Sequence, residues 1–197
     1  MILAALVACF FLTNCKKDNT IKNITPLNSK TFVVNASSSS KWIYFSFESG
    51  DTVQIANPTS STGWDIAFQR FNLKTNSGLS GIGIGGASGS GQIGTSGFEA
   101  LLTVSDTLKY ASDDSISVIG AQGTPEKIAA NNTLSSWYDY NFATNVLTTK
   151  GIVYVIKTAT GKYAKFIILN YYKEVGGTPA YIKFSYFYQS SGSKALQ

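Results

Sequence analysis

Between Gly63 and Arg70 large and small side chains alternate. Trp64, Ile66 and Phe68 fall on one side of an extended chain and Asp65, Ala67 and Gln69 on the other, the period of a half-buried strand. Runs rich in β-branched and aromatic residues recur on both sides of it. Residues 31–36 and 42–47 are two of them, separated by four serines, and a turn at residues 48–51 precedes a third run at 52–56. Residues 101–110 and 115–120 read as further strands with Asp113-Asp114 as the turn between them. Three longer runs, 151–157, 162–172 and 180–189, close the chain, and the turns at 159–161 and 176–178 are short enough for an antiparallel meander. Residues 125–132 (PEKIAANN) read as the best helix, with Thr124 as N-cap, Pro125 at the first position and Glu126 in the first turn. The pattern predicts an all-β fold, mostly antiparallel, of two packed or strongly curved sheets with at most one or two short helices.

Nearly every second residue of 78–97 is glycine. Such a composition predicts loop or strand edges where backbones come close, not a packed helix. Gly81-Ile82-Gly83-Ile84-Gly85-Gly86 matches G-x-G-x-x-G after a strand, but Ala87-Ser88-Gly89-Ser90-Gly91 follows instead of an apolar helix. A dinucleotide site needs the N-terminus of that helix, so the match carries no nucleotide chemistry.

Residues 2–13 form an uncharged apolar run of signal-peptide length, too short to span a bilayer. Leu12-Thr13-Asn14-Cys15 has the form of a lipobox and gives way abruptly to Lys16-Lys17-Asp18. The expected organisation is a lipoprotein signal over 1–14, a lipidated N-terminus and flexible tether over 15–30, one β domain over 31–190 and a flexible tail over 191–197. Acyl chains on Cys15 would hold the protein on membrane lipid without spanning it. With Cys9 removed and Cys15 acylated, the mature domain keeps no thiol for a disulfide or metal site.

The net charge of +5 comes from scattered lysines, with Arg70 the sole arginine. No stripe of basic residues interleaved with aromatics is present, so no nucleic-acid partner is expected. The chain has no histidine, and Met1 is its only methionine. Ser-His-Asp and Cys-His triads, histidine zinc sites and haem ligation by His or Met are thereby excluded, and an enzyme is not expected. Asp65 and Asp139 are two carboxylates of the kind that can run glycoside hydrolysis in principle. A strand aspartate more often accepts hydrogen bonds from turn amides or pairs with a neighbour such as Arg70. Residues 136–142 (SWYDYNF) form a dense aromatic patch suited to packing or to stacking on a flat ligand. Tyr110, Tyr138 and Tyr140 carry phenols that could bind ferric iron, given a positive neighbour or the metal itself to ionise them.

Several stretches resemble one family: Lys41-Trp42-Ile43-Tyr44-Phe45-Ser46-Phe47, the Trp-Asp-Ile-Ala-Phe run from Trp64, Lys74-Thr75-Asn76-Ser77-Gly78 with the Gly-Gly-Ala ending at Ala87, and the last strand from Tyr181 to Tyr188. They are similar to the HmuY family of haem-binding lipoproteins of Bacteroidetes-type bacteria. The resemblance implies an all-β domain, lipid anchoring at the outer membrane, and haem capture for a TonB-dependent receptor; Lys16-Lys17-Asp18 after the cysteine is compatible with export to the cell surface. It also implies iron held between two axial side chains, histidines in some members and methionines in others. Those positions fall near residues 106–110 and 140–142, and neither segment has a His or Met. The family's ligands are therefore missing here. Haem would be held by Tyr110 and Tyr140 as tyrosinates, or a porphyrin by stacking among Tyr110, Tyr138, Tyr140 and Phe142 with its propionates near Lys109. The alternative is a surface lipoprotein that binds a non-haem ligand or a protein partner on the same scaffold. A cleft lined by the four aromatics would favour the first reading; mutual packing that leaves no slot would favour the second.

Overall fold

The computed structural model describes residues 28–119, 123–174 and 176–197. The signal, Cys15 and most of the tether lie outside them. The larger sheet has five antiparallel strands, built from β1 (Lys30–Asn35), β6 (Gly86–Ile93), β11 (Ile152–Lys157), β12 (Tyr163–Tyr172) and β13 (Pro179–Gln189), in the order β1-β13-β12-β11-β6. The three long closing runs form the expected meander at its centre. The smaller sheet takes β2 (Ile43–Ser46), β3 (Asp51–Val53), β4 (Ile66–Gln69) and β5 (Asn72–Thr75) in the order β3-β2-β4-β5. Two hairpins stand apart from both: β7 (Asp114–Ile119) with β8 (Pro125–Ala130), and β9 (Tyr138–Asn141) with β10 (Val146–Thr149). One α-helix, α1 (Gly94–Ala100), follows β6.

The two sheets pack face to face through aromatic rings. Phe184 of β13 stacks on Phe68 of β4 with centroids 5.3 Å apart and meets Phe45 of β2 edge-on at 5.3 Å. Phe45, Phe68, Phe166 and Phe184 are wholly buried. Each such ring contributes about 1.5–3 kcal/mol by leaving water, so this seam dominates cohesion between the layers.

Asp65 adds a polar tie across the same seam. Its carboxylate accepts hydrogen bonds from the amides of Phe47 (2.8 Å) and Ala159 (3.0 Å), joining the small sheet to the β11–β12 turn. Hydrogen bonding to amides is the expected role; Arg70 instead donates to the Ser37 carbonyl. Strict alternation fails at this residue. Ile66 and Phe68 enter the main core, whereas Trp64 packs against Tyr44 and lies 5.5 Å from the Lys74 ammonium. Trp42 and Tyr44 flank the same ammonium at 4.4 and 5.1 Å, a cation–π enclosure on the outer face of the small sheet.

Four expectations are corrected here. Residues 125–132 do not form a helix. Pro125–Ala130 is β8, because pairing with β7 lets Ile128 and Ala130 bury against neighbours, while a helix of one or two turns has little stability of its own. Residues 101–110 are not a regular strand: Leu101, Val104, Leu108 and Tyr110 cover the outer face of the large sheet with their side chains instead of pairing edge to edge. The glycine-rich segment supplies strand edge β6 as expected, but its last residues begin α1. That helix is held from outside, since Lys165, wholly buried on β12, donates to the carbonyls of Phe98 and Leu101 at its C-terminal end (both 2.8 Å), where a cation suits the helix dipole. Finally, residues 191–197, expected to trail freely, are exposed over Ser191–Lys194 but anchored near their end. Leu196 is fully buried against Val104 and Val155, and its amide bonds the Leu102 carbonyl at 2.8 Å.

Candidate functional site

The two separate hairpins create a groove of about 570 Å³ between them, within the range of small-molecule sites. Its first wall is β7. Ile116 and Val118 are half-buried there, while Ser117 and Ile119 reach towards solvent. The facing wall carries Tyr138 and Tyr140 from β9, Leu147 from β10 and Phe142 from the turn joining them. Phe71, Asn72 and Ser135 complete the lining.

Each wall is fixed at its base by buried polar groups. For the β7–β8 hairpin the fixing residue is Asp113, which receives the Thr75 amide, the Thr75 hydroxyl and the Asn131 side-chain amide at 2.9, 2.6 and 3.0 Å. Burial pushes its carboxyl above the usual range, and the hydrogen bonds oppose that. Asn131 also donates to the Ala111 carbonyl (2.8 Å), and its own amide bonds the Leu73 carbonyl of β5 (3.0 Å). For the β9–β10 hairpin the base is Trp137, wholly enclosed, whose indole N–H donates to the Phe71 carbonyl at 2.9 Å. The Leu147 amide donates to the Tyr172 hydroxyl (2.8 Å), and the Thr149 hydroxyl to the Ile168 carbonyl (2.9 Å).

The Lys74-Thr75-Asn76-Ser77-Gly78 stretch is the hub of this construction. Thr75 meets Asp113; the Ser77 hydroxyl accepts from the Asp113 amide (3.1 Å); Asn76 donates to the Ser61 and Trp64 carbonyls (2.8 and 2.9 Å) and accepts from the Gly83 amide (3.0 Å). Its role is to position the groove rather than to line it. Sequence reasoning read Asp113 as a turn residue and passed over Asn131. Two polar residues beside candidate strands gave no sign that they would meet across an intervening hairpin.

The expected site residues divide. Tyr138, Tyr140 and Phe142 line the groove together. Tyr138 packs on Trp137 and Phe71 with centroids at 5.0 and 5.6 Å, and burial raises its hydroxyl pKa. Tyr140 meets Phe142 edge-on at 5.0 Å and donates its hydroxyl to the Asn145 side chain at 2.8 Å. Tyr110 lies elsewhere, on the outer face of the large sheet against Tyr163 (6.2 Å). Its hydroxyl is buried without a hydrogen-bond partner, and burial pushes it up to about 12. The expected ligand pair, Tyr110 with Tyr140, is therefore not brought together at the groove. Lys109 is exposed beside Tyr110 and does not line the groove. The residues that sequence reasoning missed are Phe71, Ile116, Val118 and Leu147. Reading residues 125–132 as a strand would have exposed the β7–β8 hairpin and its alternating inner face.

The shape and lining suit a flat apolar molecule. The donor set does not suit axial iron ligation of the kind the resemblance implied: the lining has two phenols and no charged side chain. Among the described residues no three His, Cys, Asp or Glu side chains gather as for a metal ion, and no helix is long and apolar enough to cross a membrane.

The HmuY protein family matches residues 38–186. The chain belongs to the HmuY family. Solved structures carry the same architecture. A protein from Bacteroides vulgatus described as HmuY-like and haem-binding is 23% identical, with 80% of this chain and 90% of that one covered at a TM-score of 0.61. The apo HmuY analog of Tannerella forsythia is 19% identical, with 85% and 98% covered at 0.61. A Bacteroides fragilis protein described as a lipoprotein is 17% identical, with 82% and 89% covered at 0.62. At these identities the likeness establishes the fold. Comparison with curated proteins gives no match.

Proposed function

We propose that this HmuY-family protein is a binding protein whose groove between the β7–β8 and β9–β10 hairpins takes a flat tetrapyrrole, with haem as the first candidate. The observation that carries the reading is the groove itself, an open apolar slot with Phe71, Tyr138, Tyr140 and Phe142 as stacking surfaces. Family membership supports it, as does the description of the Bacteroides vulgatus structure as haem-binding. The protein would work as a lipoprotein anchored through Cys15 in the outer membrane, on the cell surface, and hand its ligand to a TonB-dependent receptor. The lipobox-like start and the Bacteroides fragilis lipoprotein support the anchored part of that reading.

Haemin titration of the purified protein tests the proposal. A saturable change in the haem absorption band is expected, weakened tenfold or more by Tyr138→Ala and unaffected by Tyr110→Phe. A spectrum that remains that of free haemin at micromolar protein would overturn it. The second reading, a surface lipoprotein that binds a non-haem ligand or a protein partner on the same scaffold, would be favoured by aromatics packed together without a slot; Tyr138, Tyr140 and Phe142 instead line an open groove, which supports the first.

A further inference from the structure

The groove offers a ring-shaped ligand much to stack on and little to bind a metal with. Of its lining side chains, Phe71, Ile116, Val118, Ile119, Phe142 and Leu147 are purely apolar, and none of the others bears a charge. Asn72, Ser117 and Ser135 offer only neutral amide and hydroxyl oxygens, Tyr138 and Tyr140 are the only phenols of the lining, and a phenol ligates as its anion. The Tyr138 ring packs against Trp137 and Phe71, and burial raises its hydroxyl above the ordinary phenol value. The Tyr140 hydroxyl is already committed to Asn145. The Lys150 ammonium, near the base of the same hairpin, is paired with Asp139 at 3.1 Å, and no cation lines the groove to stabilise a phenolate. The turn between β9 and β10, Phe142-Ala143-Thr144-Asn145, adds nothing to the donor set, since it holds no His, Met, Cys, Tyr or carboxylate.

We infer that the groove recognises the face of a tetrapyrrole ring without coordinating its metal, so that it takes metal-free porphyrin as readily as haem. This inference rests on the reading of the groove as a tetrapyrrole site and specifies what that site senses. The aromatic and aliphatic walls contact the ring through apolar burial and offset stacking. Both contributions belong to the macrocycle and are indifferent to the atom at its centre. The carboxylates of the ring face the open mouth, where water solvates them, because no lysine or arginine lines the groove to receive them. Oxidation state drops out of recognition for the same reason. A ligand bond would favour one state of the iron, while stacking favours neither. The site would therefore retain a porphyrin from which iron has already been removed, or one carrying a different metal.

The experiment titrates the purified protein in parallel with haemin, zinc protoporphyrin and metal-free protoporphyrin IX, by absorption for the first and fluorescence for the other two. Dissociation constants that agree within tenfold across the three, with all three weakened together by Phe71→Ala, support the inference. Phe142→Ser serves as a second variant, because Phe142 is 85% exposed and its loss leaves the folded core untouched; it should weaken all three alike. If haemin binds more than tenfold more tightly than the metal-free ring, or if Tyr140→Phe selectively weakens haemin and alters its visible spectrum, the inference is overturned while the site reading stands. Binding of none of the three overturns the site reading itself.

Discussion

The Asp113 carboxylate receives both the backbone amide of Thr75, at 2.9 Å, and its hydroxyl, at 2.6 Å. This single contact fastens the base of the β7–β8 hairpin to the last residue of β5, and with it one wall of the groove. Asp113→Ala leaves buried donors on Thr75 and Asn131 unsatisfied. The expected cost is about 3 kcal/mol of stability, read as a lower urea midpoint. Tetrapyrrole affinity should fall as well, because the wall loses its footing. Thr75→Val removes the hydroxyl, which also meets Ser77, and keeps the amide bond, so the expected loss is smaller, about 2 kcal/mol.

Lys165 makes a distinct prediction about pH. Burial lowers its ammonium, and that of Lys74, to about 8 from the ordinary 10.5, with Glu99 and Asp113 respectively opposing the shift. Above about pH 8 the folded chain has released protons that the unfolded chain still holds. Unfolding free energy therefore rises with pH from about 8 towards 10, and this contribution is lost as pH falls back through 8. Chemical denaturation across that range should show the rise in the native protein. It should be shallower in Lys165→Met, where only Lys74 supplies it.

Two glycines in the same rich segment should respond in opposite ways. Gly78 has φ +52° and its added Cβ would run into the Asp113 carbonyl oxygen. Gly78→Ala should cost about 2 kcal/mol or more. The Cβ of Gly89→Ala meets nothing within 4 Å, and the change should stay within about 0.5 kcal/mol. Thermal unfolding of the two variants side by side checks the contrast. Equal effects would mean that composition, rather than local geometry, sets the tolerance of this segment.

Leu196, second from the end of the chain, is fully buried. Leu196→Ala should cost about 2 kcal/mol, and removal of residues 194–197 should uncover Val104 and Val155. Limited proteolysis of the shortened protein should cut first within residues 101–110, which lose the C-terminal cover.

Much of the architecture was legible from periodicity alone. The closing meander, the β1 and β2 runs and the central strand all alternate or carry β-branched and aromatic residues, and all are strands in the fold. Legibility ended where tertiary contacts overruled local signals. Pro125 and Glu126 are good helix-start residues, yet they lie in β8 because β7 is a ready partner. Leu101, Val104 and Leu108 have the apolar content of a strand, yet the outer face of the large sheet takes their side chains, and their backbone bonds only locally and to the chain's last residues instead of joining a sheet. The candidate site was half legible for a similar reason. Tyr138, Tyr140 and Phe142 are contiguous in sequence and stay together in space. Tyr110 was grouped with them by its phenol and by the resemblance, which places a ligand position near residues 106–110, but the chain carries it to the outer face of the large sheet.

The groove's two walls share no ladder of hydrogen bonds: each hairpin is its own two-stranded sheet, footed on different residues. A molecule lodged between them is thus the element that joins them. Occupancy should be felt at a distance as cooperativity, with amide hydrogens of β7–β8 and β9–β10 exchanging independently in the empty protein and slowing in concert once the slot is filled.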